Sequence, residues 1–247
     1  MLIDTHCHIH EEDYPDADGA LERAFENDVE KLICVGTDNG TSREAAEFAS
    51  RHKNVYFSVG AHPHDSKDGF DVVMQIAKEN PAKLVAIGEI GLDYFYTHSP
   101  RQTQIAAFEA QLQIAQDAGL PVIFHVREAF EDFWPIFRNF TGVTGVLHSF
   151  TDTVENMQKA VSEGLYIGVN GISTFAKDKR LMWQAIPLEK MLLETDAPFL
   201  TPVPYRGKVN EPAFVRNVAE YHANMRGVEL EHLARATSAN ASTLFSL

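Results

Sequence analysis

The chain has 247 residues, 35 acidic against 21 basic, and a formal net charge of −14. That balance excludes coating nucleic acid through a broad basic face, which rests on many Lys and Arg contacts to phosphate, but it allows one pocket whose field metal ions or a few local cations reverse. Hydrophobic residues at 45% and charged residues at 23% exclude a disordered or fibrous chain, and no apolar run approaches the ~20 residues of a membrane-spanning helix.

The first apolar run, Leu2 to His6, reads as a strand, and Met1-Leu2-Ile3 meets Asp4, His6 and His8 without the basic and apolar segments of a secretory leader. A cytoplasmic location is therefore expected. Further strands are expected at Lys31 to Gly36, Val55 to Gly60, Leu84 to Glu89, Val122 to His125, Gly145 to His148, Tyr166 to Val169 and Met191 to Thr195. Helical spacing marks Asp18 to Asn27, Ser42 to Arg51, Phe70 to Asn80, Arg101 to Ala118, Phe130 to Asn139, Val154 to Glu163 and Lys179 to Ile186 between them. Two more helices, Pro212 to Arg226 and Leu230 to Ser246, close the chain. Strands alternating with helices are the signature of parallel βαβ units. Eight of them in a chain close to the ~250 residues typical of the fold predict one domain over residues 1–247, a single (β/α)8 TIM barrel. A doubly wound open sheet is the competing architecture. Cys7 and Cys34 fall in predicted buried strands, so both are expected to be reduced core thiols.

Polar chemistry gathers where the strands stop. The first strand runs out in Asp4-Thr5-His6-Cys7-His8, and His6 and His8 share a face because side chains at i and i+2 of a strand do. The fourth ends at Glu89, the fifth at His125 with Arg127 at same-face spacing, the sixth at His148, and the eighth leads into Glu194-Thr195-Asp196. One histidine or carboxylate at a strand end is more often solvated or capping. Five strands ending in metal-ligand residue types, on the face where barrel enzymes build active sites, point to a metal centre. His6, His8, Glu89, His125, His148 and Asp196 exceed the three protein ligands of one catalytic zinc, so two divalent ions are expected, with Glu89 on the central strand as the natural bridge. Zinc, nickel, manganese and magnesium all suit this mixture of imidazole and carboxylate.

These residues lie in DTHCHIH from Asp4, GAHPHD from Gly60, GEIGLDY from Gly88, PVIFHVREA from Pro121, LHSF from Leu147 and LLETDAP from Leu192. In that order over the whole chain they resemble the TatD family of metal-dependent deoxyribonucleases, a branch of the amidohydrolase-like barrels. The resemblance implies one ion among His6, His8, Glu89 and Asp196 and a second among Glu89, His125 and His148. It also implies hydrolysis of phosphodiester bonds in DNA, often from a strand end. Family members commonly carry Gly-Lys-Arg-Asn-Glu-Pro after the eighth strand. Here Val209 stands in place of that arginine, with Arg206 and Lys208 nearby to compensate.

The expected mechanism uses a metal-activated water, with Glu89 and Asp196 as the catalytic carboxylates and Asp196 accepting a proton. Arg127 is a candidate phosphate contact or the partner of an acid such as Glu128. His62 and His64 follow the third strand on a loop and are candidates to touch substrate or a labile metal position, Arg206 is a further substrate-contact candidate, and Glu194 is expected to orient a metal ligand. Tyr94, Phe95, Tyr96, Phe199 and Tyr205 offer rings for unpaired bases or for ordinary loop packing. The partner expected is therefore a DNA or oligonucleotide substrate held locally at the barrel mouth. The competing readings are an amidohydrolase acting on a small cyclic amide, lactone or phosphotriester, and a binding protein whose metal only holds the barrel together.

Overall fold

The computed structural model describes residues 1–247. Eight strands form one sheet in chain order: β1 (Leu2–Cys7), β2 (Val29–Val35), β3 (Val55–Val59), β4 (Leu84–Asp93), β5 (Val122–Arg127), β6 (Gly145–Leu147), β7 (Tyr166–Val169) and β8 (Met191–Leu193). Helices follow each strand in turn: α1 (Ala17–Glu26), α2 (Asn39–Arg51), α3 (Asp71–Glu79), α4 (Arg101–Ala118), α5 (Phe130–Phe137), α6 (Val154–Ser162), α7 (Arg180–Ala185), then α8 (Val215–Arg226) and α9 (Leu230–Phe245). This is the (β/α)8 topology expected from the alternation. Two strands run further than their apolar cores suggest, β4 to Asp93 and β5 to Arg127, while β8 stops at Leu193, short of Thr195. No helix is long and apolar enough to cross a membrane.

The chain forms two compact units, residues 1–34 with 149–247 and residues 35–148. In the first, β1 pairs with β2 in parallel, with Cys7 opposite Cys34, and β7 pairs with β8. Both cysteines are buried free thiols, as expected. The segment after β8 returns to β1: the Asp196 N–H donates to the His6 carbonyl at 2.8 Å and the His8 N–H to the Ala197 carbonyl at 2.7 Å. This reach needs Asp196 at φ 59°, a left-handed conformation in which short polar side chains are enriched among non-glycine residues.

In the second unit β3, β4, β5 and β6 pair successively in parallel. The helix α2 starts on a capping box, in which the Asp38 side chain accepts from the Thr41 N–H and the Thr41 hydroxyl from the Asp38 N–H. The buried face of α4 carries two glutamines where leucines would be expected, because each closes an open backbone pair at a strand end. Gln111 accepts from Ala61 N–H at 2.7 Å and donates to Ala61 C=O at 3.1 Å. Gln104 accepts from Asp93 N–H at 2.9 Å and donates to Asp93 C=O at 3.0 Å. Unpaired backbone groups in such a setting would cost about 1–3 kcal/mol each. The two amides thus hold the segment just after β3, next to His62, and the end of β4 at Asp93.

Candidate metal centre

The first unit brings together His6 and His8, two positions apart, with Asp196 from the segment after β8. His6 Nε2 and His8 Nε2 lie 3.1 Å apart, and Asp196 Oδ1 is 3.5 Å from the first and 3.4 Å from the second. Ligand bonds of about 2.0–2.1 Å in tetrahedral geometry separate donor atoms by about 3.3 Å, so the spacing of these three atoms suits three corners of a divalent-metal site. His6 and His8 are buried, whereas Asp196 keeps 14% of its side chain exposed and therefore keeps access to solvent.

Asp4 braces the backbone that carries His6 and Asp196. Asp4 is fully buried and accepts three hydrogen bonds, from the Thr195 hydroxyl at 2.6 Å, the Thr195 N–H at 2.9 Å and the His6 N–H at 3.3 Å. One side chain thereby ties the end of β1 to the residue before Asp196. Burial pushes the Asp4 carboxyl up to about 8, against the pull of those donors. Glu194 accepts from the Ser149 N–H at 2.7 Å and from Asn170 Nδ2 at 3.1 Å. A methyl on Gly168 would sit 2.4 Å from the Glu194 carboxylate, so only glycine leaves that side chain its place.

The second unit gathers His62, Glu89, His125 and His148. Glu89 Oε1 lies 2.7 Å from His125 Nδ1, 3.7 Å from His62 Nε2 and 3.8 Å from His148 Nε2. His62, expected to touch substrate or a labile metal position, thus stands among the ligand types. Burial, followed by the charge of His125, holds the His62 imidazole well below its ordinary value, so it stays neutral, as a metal ligand must. His64 lies edge-on beside His62, ring centroids 4.3 Å apart, with its Nε2 2.9 Å from Asp93, whereas Arg127 lies over the Phe95 ring at 3.9 Å. Arg206, in the first unit, donates to Thr201 C=O at 2.7 Å and lies 3.9 Å over Phe175.

Asp93 is the functional residue that the sequence reading passed over. It is completely buried and receives four donors: His64 Nε2 at 2.9 Å and His125 Nε2 at 3.1 Å on one oxygen, the N–H groups of Phe95 at 2.9 Å and Tyr96 at 3.0 Å on the other. Burial alone would raise its carboxyl; these donors, His125 foremost, hold it below the ordinary range. His125 in turn lies between two carboxylates, and their hydrogen bonds raise its pKa even though burial opposes them. Were His125 to hold an ion through Nδ1, its Nε2 would keep Asp93 as partner, the carboxylate–histidine–metal arrangement that orients such ligands. The signal was present: Asp93 shares strand parity with Glu89, inside the GEIGLDY stretch already singled out.

A parallel eight-stranded barrel with imidazole and carboxylate clusters at its strand ends defines the class of metal-dependent hydrolases built on this scaffold. A family model described as TatD related DNase matches residues 3–246, and the chain belongs to that family. It is 40% identical to the uncharacterized metal-dependent hydrolase YcfH of Escherichia coli, covering 100% of this chain and 96% of that one. It is 38% identical to the 3'-5' ssDNA/RNA exonuclease TatD of Salmonella typhimurium over 94% of each chain. Among solved structures, the TatD homolog YjjV of Escherichia coli superposes with a TM-score of 0.93 at 29% identity, over 100% of this chain and 98% of the other. The residues present fit divalent metal on the spacing of their donor atoms.

Proposed function

We propose that the whole chain works as one hydrolase domain that cleaves phosphodiester bonds at the ends of single-stranded DNA, using two divalent ions. His6, His8 and Asp196 would hold one, and Glu89, His125 and His148 the other, with His62 as a further donor to the second. The observation that carries this reading is the spacing of 3.1 to 3.5 Å among the His6, His8 and Asp196 donor atoms. The relative named as an exonuclease on single-stranded DNA and RNA supports the substrate class.

Bound there, divalent ions supply Lewis-acid polarisation of a phosphate and a water acidified toward neutral pH. Asp196 does the proton work, because it combines a donor atom in the cluster with residual solvent exposure. Glu89, only 4% exposed, orients its carboxylate through His125. Asp4 and Thr195 fix the backbone on which His6 and Asp196 ride, which keeps the attacking geometry within the narrow tolerance that proximity catalysis requires.

The test is release of nucleotides from a single-stranded oligonucleotide in Mg2+, Mn2+ or Zn2+. Asp196→Ala should lower the rate at least about hundredfold, the usual worth of a positioned acid or base. Equal rates in the two proteins, or turnover of lactones and amides without nucleotide release, would overturn the proposal.

A further inference from the structure

Phe95, Tyr96 and His98 form an exposed ledge on the loop after β4. Phe95 is 49% and Tyr96 42% exposed, which is costly for rings this large unless something covers them. The Phe95 and Tyr96 rings meet edge to face at 4.7 Å, and Tyr96 lies nearly parallel to His98 at 5.5 Å. Arg127 spreads its guanidinium over Phe95 at 3.9 Å and Tyr96 at 5.0 Å, and no ion pair of Arg127 accompanies these contacts.

The ledge is not a loose loop tip. Its backbone is pinned by Asp93, whose Oδ1 accepts the N–H groups of both Phe95 and Tyr96. The other oxygen of that carboxylate accepts from His64 and His125. One buried carboxylate therefore sets both the orientation of a candidate metal ligand and the position of the two rings. His64 completes the connection, lying edge-on to Tyr96 at 5.3 Å and 4.6 Å from His98.

We infer that this ledge receives an unpaired base of the strand being cleaved, stacked on an open ring face of Phe95 or Tyr96, with Arg127 beside it to meet the adjoining phosphate. Exposed rings beside a cation without a carboxylate partner match a nucleotide in both parts: a π-face for the base and a planar donor fork for the phosphate. An apolar peptide would leave Arg127 without an anion, and a bare phosphate would leave the rings uncovered. The inference rests on the nuclease reading above, and it makes the ledge a determinant of affinity for single strands over duplexes, where bases present no free face.

The experiment compares the metal-loaded wild type with the Phe95→Leu/Tyr96→Leu double variant on two single strands, one with normal bases and one abasic at its cleaved end. The expected result is a KM for the normal strand raised about tenfold in the variant, within the range of base–aromatic stacking, with kcat and the KM for the abasic strand unchanged. A KM for the normal strand equal in both proteins, or raised equally on both strands, would overturn the ledge while leaving the nuclease reading intact. Failure of the wild type to cleave either strand would overturn both. Should the double variant misfold, quenching of 2-aminopurine at the strand end on binding to the Asp196→Ala protein supplies the second readout. Quenching that the single Tyr96→Leu change weakens supports the ledge, and its absence overturns it.

Discussion

A methyl group on Gly91 would lie 2.0 Å from the carbonyl oxygen of His125. The two residues face each other in the β4–β5 ladder, and Gly91 adopts φ 147°, which side-chain-bearing residues rarely do. The glycine is thus the condition for β5 to approach β4 closely enough that His125 reaches both Glu89 and Asp93.

Gly91→Ala should for that reason cost about 2 kcal/mol or more, the scale of overpacking against backbone. It should also weaken metal binding by displacing His125. Denaturant unfolding of the metal-free protein checks the first effect and metal titration of the folded protein the second. Wild-type values in both would mean that the ladder yields locally.

Asp93→Asn should leave the fold standing while lowering divalent-metal affinity about 10- to 100-fold, as loss of the carboxylate behind a ligating histidine does. The amide retains one oxygen for the Phe95 and Tyr96 N–H groups but removes the charge that His64 and His125 face. Isothermal titration with Zn2+ or Mn2+ gives the number directly, and an unchanged affinity would confine Asp93 to a structural role.

Chelation should abolish hydrolysis, and restored metal should recover it with release of protons. The sign follows from His125, whose pKa is raised in the metal-free protein by the hydrogen bonds to Asp93 and Glu89, so that a proton competes with the ion. Affinity should rise with pH up to and beyond the ordinary histidine range. Calorimetry in buffers of different ionisation enthalpy counts the protons, and binding without proton release near neutrality would contradict the assignment.

His222 predicts a separate loss of stability in acid. It is fully buried in α8, with Nε2 donating to the Ser173 hydroxyl at 2.9 Å, and burial, with Arg226 adding to it, lowers its pKa from 6.5 to about 3. The unfolded chain takes up the proton first, so stability is lost as pH falls from about 6.5 toward 3, at up to about 1.4 kcal/mol per pH unit. His222→Gln keeps a donor for Ser173 and cannot titrate. Its unfolding midpoints at pH 6, 5 and 4 should fall less steeply than those of the wild type.

Much of this was legible in the chain itself. Alternation of Val, Ile and Leu runs with helical spacing specified eight parallel βα units, because strand and helix periods differ and neither pattern can serve as the other. The strand ends named the ligand types, since five of the apolar runs stop where a histidine or carboxylate begins. Convergence of His6, His8 and Asp196 to within 3.5 Å was decided by tertiary structure, through the return of the chain after β8 and the bond from Thr195 to Asp4. So were the standing of Asp93, which depends on four donors supplied from separate segments, and the placing of Arg127 over rings rather than beside an acid. Residue type and strand parity are local properties that a sequence carries on its face; which donors surround a buried carboxylate depends on how distant segments close around it, and that exists only once the chain has folded.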